Sequence, residues 1–102
     1  MIIYKHEYSS YSGKITTYEI EVEEKPKSYV VTKKPRGVWE SRILKESIGA
    51  LDGDWPVKTF SLSADKTDFV KLLISRTDSK IQALENEIAK KKNEKKNLLT
   101  FL

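Results

Sequence analysis

Residues 63–98, SADKTDFVKLLISRTDSKIQALENEIAKKKNEKKNL, decide how the rest of this chain is read. With Ile74 placed at position a of a heptad, the a and d series runs Thr67, Val70, Ile74, Thr77, Ile81, Leu84, Ile88, Lys91, Lys95 and Leu98. Six of these ten positions are apolar, and they concentrate between Val70 and Ile88. Three heptads of apolar a and d residues are the lower limit for a coiled-coil seam. The spacing predicts one long helix ending in a lysine-rich tip, with Val70, Ile74, Thr77, Ile81, Leu84 and Ile88 as its dimer interface.

The flanking charges bear on orientation. In a parallel pair each g residue meets the e residue five positions later on the partner, so Lys80 meets Glu85 and Glu87 meets Lys92. An antiparallel pair loses both contacts. Ile at a with Leu84 at d favours two strands over three or four. Exposed ion pairs contribute only about 0.3–0.5 kcal/mol each, so they choose the register while apolar burial supplies the association energy.

A helix of about 33 residues is a rod of about 50 Å, whereas the preceding 63 residues fold into a lobe of about 25–30 Å. A fold-back is conceivable at Thr77-Asp78-Ser79, where Ser79 and Gln82 fit a capping box. No Gly or Pro interrupts the run, which favours a continuous helix. Ser63 or Asp65 can cap its start, Asp65 and Asp68 suit the positive end of its dipole, and Lys90–Lys96 suits the negative end.

Upstream, residues 2–8 alternate with period two, placing Ile2, Tyr4, His6 and Tyr8 on one side and Ile3, Lys5 and Glu7 on the other. After the turn-forming Ser9–Gly13, residues 14–24 alternate more clearly, with Tyr18, Ile20 and Val22 facing one way. Pro26 ends that strand and 28–33 forms its return, predicted to set Val22 opposite Tyr29 and Ile20 opposite Val31. A break at 33–37 precedes a strand over 38–44 with Trp39 and Ile43 on one side. The stretch 40–51 fits a short helix equally well. Asp52–Pro56 is a turn, and 57–62 a last strand.

The expected fold class is therefore α+β: an antiparallel β-meander of four to five strands over 1–63, then a long coiled-coil-like helix over 64–102. Phe69, Leu72 and Leu73 are expected to cover one face of the sheet, leaving the other solvated.

Composition narrows the function. The chain has 102 residues, 33% of them charged, with a net charge of +4. Nine Lys or Arg against six Asp or Glu fall after residue 63, so the lobe is nearly neutral and the excess sits at the helix tip. There is no cysteine, hence no disulfide, thiolate metal site or cysteine nucleophile. No apolar run is long enough to span a membrane, and the first residues read as a strand rather than a signal peptide, so a cytoplasmic protein without a membrane partner is expected.

No catalytic constellation emerges, and no cofactor or metal is expected. His6, the single histidine, reads as a strand residue half exposed among tyrosines. Glu19, Glu21 and Glu23 share a strand face that Lys25, Lys27, Lys33 and Lys34 balance. Asp52-Gly53-Asp54 lacks the later ligands of a calcium loop. One basic segment with an aromatic, Lys33, Lys34, Arg36 and Trp39, has the charge and flat face that a nucleic acid or nucleotide requires, and Lys91 and Lys95 extend the basic set.

The first expectation is a non-enzymatic interaction protein, homodimeric through its helix and binding an unidentified protein partner. Nucleic-acid or nucleotide binding is the alternative. Small size, Lys and Ile bias and the missing catalytic residues give the chain the general look of a phage or mobile-element accessory protein, for instance an inhibitor of a host system.

Overall fold

The computed structural model describes residues 1–102. It is an α+β arrangement of a five-stranded antiparallel sheet followed by one long helix. The strands are β1 (Ile2–Ser9), β2 (Lys14–Glu24), β3 (Ser28–Lys33), β4 (Arg42–Leu44) and β5 (Val57–Ser61), and the helix is α1 (Thr67–Leu99). Contact density divides the chain into Met1–Val70 and Lys71–Leu102.

Strands β1 to β4 form the meander, and β5 lies on the far side of β1, giving the order β4-β3-β2-β1-β5. The β1–β2 hairpin closes on Gly13, whose φ of 69° suits a residue without Cβ and whose N–H donates to Ser9 O at 2.8 Å. In the β2–β3 hairpin Val22 pairs with Val31 and Glu24 with Tyr29, with a bulge between Glu21 and Val22. That register differs by two residues from the one the loop length predicts. A two-residue shift preserves the faces, so the apolar sides of β2 and β3 still coincide.

The main core lies on the face carrying Ile3, Ile20, Val22, Tyr29, Ile43 and Phe60, closed by Val38 from the β3–β4 connection. Ile48, from the β4–β5 connection, packs against it. That second connection also runs along the outer edge of β5, where Ile48 bridges Phe60 and Asp52 bridges Lys58.

The segment expected as a strand over 38–44 is strand only at Arg42–Leu44, followed by a 3-10 turn at Lys45–Ser47. Gly37, at a φ of 93°, turns the chain before Val38. As a result Val38 is buried while Trp39 is 83% exposed, and Trp39 does not share a side with the buried Ile43.

On the opposite face, Phe69 is buried against His6, the ring centroids 5.9 Å apart and the planes inclined by 22°. Of the three helix residues expected to cover the sheet, Phe69 alone is buried, and Leu72 is exposed. Both faces at the centre of β1 are thus covered, which leaves His6 buried rather than half exposed.

The helix starts where the Asp65 carboxylate accepts the Thr67 N–H at 2.9 Å. It continues without a break through 77–79, where Thr77 Oγ1 and Ser79 Oγ donate to Leu73 O and Ser75 O at 2.8 and 3.1 Å. These hydroxyls satisfy themselves four residues back, so neither starts a second helix. No helix is long and apolar enough to cross a membrane.

Candidate functional site

The seam residues form an apolar set on the helix, outside the core of the lobe. Ile74, Ile81, Leu84 and Ile88 are 55%, 46%, 58% and 55% exposed, respectively, and Val70 is half-buried. Thr77 stands between them in the series. Its hydroxyl is spent on Leu73 O, so the residue carries no unpaired donor into an apolar contact.

A second feature, in the lobe, was not legible from period-two reading. Lys5 shares the core-facing side of β1 with Ile3, and it is 2% exposed. Its ammonium lies 3.1 Å from Glu40 Oε1 and 3.6 Å from Glu7 Oε2, with Gly37 O at 3.5 Å and the Tyr18 ring centroid at 5.8 Å. Glu40 also accepts from Lys58 Nζ at 2.8 Å and from the Trp39 N–H at 3.1 Å. Lys58 reaches Asp52 Oδ2 at 3.7 Å.

Burial pushes the Glu40 carboxyl up. The hydrogen bonds from Lys58, a backbone amide and Lys5 outweigh it and hold the carboxyl at about 2, well below the usual carboxylate range. Lys58 is raised by its hydrogen bond to Glu40. The Glu40–Lys58 pair therefore stays charged at neutral pH, and the network ties β1, β5 and the β3–β4 connection together. Lys5, Glu7, Tyr18, Trp39, Asp52 and Lys58 line an open cleft of about 490 Å³ around it.

The basic set is only partly assembled. Lys34 Nζ donates to Trp39 O at 3.3 Å, bringing those two together beside the exposed indole. Lys33 sits elsewhere, opposite Glu21 across the β2–β3 ladder, in a groove shared with Ile2, Glu19 and Pro35. Arg36 is exposed at the turn. Lys91 and Lys95 lie on the helix, in the unit that starts at Lys71.

The remaining candidates resolve into structural roles. His6 Nε2 faces Ser63 O at 3.2 Å, and because a carbonyl only accepts, Nε2 carries a proton and donates it, while Nδ1 lies within hydrogen-bond distance of Thr17 Oγ1 at 2.9 Å. Both ring nitrogens are thereby occupied. Glu23 pairs with Lys25 at 3.1 Å, and the Asp52–Asp54 segment is the turn beside the Asp52–Lys58 bridge. No three His, Asp or Glu side chains converge as metal ligands.

A scan against protein-family models found no match to this chain, and searches of curated proteins and of solved structures returned none either.

Proposed function

We propose that this chain is a non-enzymatic interaction protein that pairs with a second copy through a parallel coiled coil over Val70–Ile88 and so presents two β lobes to another macromolecule. One observation carries this reading: an unbroken 33-residue helix holds Ile74, Ile81, Leu84 and Ile88 at a and d positions, each about half exposed. A second copy is the occupant whose charges fit. Lys80, Glu85, Glu87 and Lys92 make no ion pair within the chain, and parallel pairing gives each a partner of opposite sign.

Burying the remaining half of eight such side chains supplies about 8 kcal/mol before the cost of association, so the dimer is expected to be micromolar or weaker. The test is solution molar mass by light scattering on the full chain and on an Ile81→Asp/Leu84→Asp variant, from about 5 to about 500 μM. Wild type should approach twice 11.8 kDa while the variant stays at 11.8 kDa. A wild-type monomer throughout would overturn the reading.

The exposure of Trp39, with Lys34 anchored beside it, supports the second reading, nucleic-acid or nucleotide binding at this loop. Such binding would weaken steeply as salt rises. Lys34→Ala and Trp39→Ala variants that bind a single-stranded oligonucleotide as tightly as wild type would exclude it.

A further inference from the structure

The apolar seam stops before the helix does. Beyond Ile88 the next two seam positions hold Lys91 and Lys95, after which Leu98 resumes the apolar series, itself 61% exposed. Both lysines are exposed, and Lys91 Nζ lies 3.5 Å from Glu94 Oε2. In a single chain they are ordinary solvated side chains. Two parallel copies bring four ammonium groups into successive layers about 6 Å apart along the axis.

We infer that these two layers form a site for a tetrahedral dianion, inorganic phosphate, completed only when the second copy contributes its own Lys91 and Lys95. The inference rests on the dimer reading above. Charge selects the ligand. Glu94 of each copy lies against Lys91, and Glu87 and Lys92 cancel across the interface, while Lys90 and Lys96 occupy the outward c and b positions. Four central lysines less two Glu94 carboxylates leave two positive charges, which one dianion neutralises.

Lysine suits such a site, since its flexible stem lies along apolar surface and its head offers three donors that swing toward an oxygen. Without an anion, like charges at facing core positions drive the helix ends apart. With one bound, the zipper continues to Leu98. Phosphate therefore strengthens the dimer by binding the paired state and not the separate chains.

The experiment compares the dimer dissociation constant of the full chain in about 20 mM phosphate near pH 8 with that in sodium chloride of equal ionic strength. Phosphate should tighten the dimer by on the order of tenfold. A full-length Lys91→Gln/Lys95→Gln variant, freed of the repulsion, should dimerise at least as well as wild type in chloride and show no phosphate response. Because phosphate also salts out apolar surface in general, an equal response from the variant would overturn the site. A dimeric wild type indifferent to phosphate would overturn the site and leave the dimer standing, whereas a monomer in both buffers would overturn the dimer and the site with it. Tightening by a short oligonucleotide but not by phosphate would also refute it, reassigning the lysines to a nucleic-acid surface.

Discussion

Replacing Glu40 by Gln removes the one carboxylate shared by Lys5 and Lys58 while keeping its shape. Taking one partner from a fully buried ion pair costs about 3–5 kcal/mol. Lys5 keeps Glu7 at 3.6 Å and the Gly37 carbonyl at 3.5 Å, and Lys58 keeps Asp52, so the expected loss is smaller, about 2–3 kcal/mol. Acid gives an independent handle on the same group. A carboxyl held at about 2 instead of 4.5 corresponds to roughly 3 kcal/mol. Solvent reaching this open cleft screens that to about 1–2 kcal/mol.

The sign follows from the depressed value. The contribution is fully present above the ordinary carboxylate range and is lost as pH falls from about 5.5 through 4.5 toward 2. Lys58, being raised, contributes below about pH 10.5 and loses that contribution only in stronger alkali. The assay is urea unfolding followed by tryptophan fluorescence, since Trp39 and Trp55 both lie in the lobe. It is run at neutral pH and at steps down to about pH 3. Glu40→Gln should start lower and lose correspondingly less stability on acidification. A variant within about 0.5 kcal/mol of wild type at neutral pH, or one with a parallel acid profile, would show that the Glu40 carboxylate does not hold Lys5 and Lys58 in place.

Four further outcomes are expected, each read by the same unfolding assay. Phe69→Ala should cost about 3–4 kcal/mol by uncovering His6, and a cost below about 1 kcal/mol would show that the Phe69–His6 stack does not hold the second face. Gly37→Ala should cost about 2–3 kcal/mol, because a Cβ there meets Tyr18 Cε1 at 2.7 Å in addition to requiring a φ of 93°. Gly13→Ala, with open space around it, should cost only about 1 kcal/mol, so equal losses at the two sites would contradict the role given to Tyr18. Trp39→Ala should change stability by less than about 0.5 kcal/mol, and a larger loss would mean that the indole is a packing residue.

The features legible in the sequence are those with a local period. The β2 alternation of Tyr18, Ile20 and Val22 and the uninterrupted helix both follow from spacing alone, and both stand in the structure. Lys5 lies beyond the reach of local periodicity. Its parity with Ile3 was visible, but its burial depends on Glu40, 35 residues away, and no local period reports such a partner. Trp39 fails for a related reason. Carrying strand parity backward from Ile43 across Val38–Glu40 assigns the indole to the core, whereas the strand begins only at Arg42. One residue of slip exchanges the faces. The placement of β5 beside β1 is likewise a long-range pairing that sequence order does not reveal.

The connection between β4 and β5 has a consequence for how this lobe can be approached. Gly49 N–H donates to Phe60 O, and Asp52 and Lys58 exchange both of their main-chain hydrogen bonds at 2.8 and 2.9 Å, so the outward carbonyl of Phe60 and both outward main-chain groups of Lys58 are already taken. At the other margin β4 spans only three residues. A sheet bounded by an occupied rim and a stub offers little template for an incoming strand. Association by backbone annexation, whether with a foreign strand or in runaway stacking of identical copies, is therefore disfavoured.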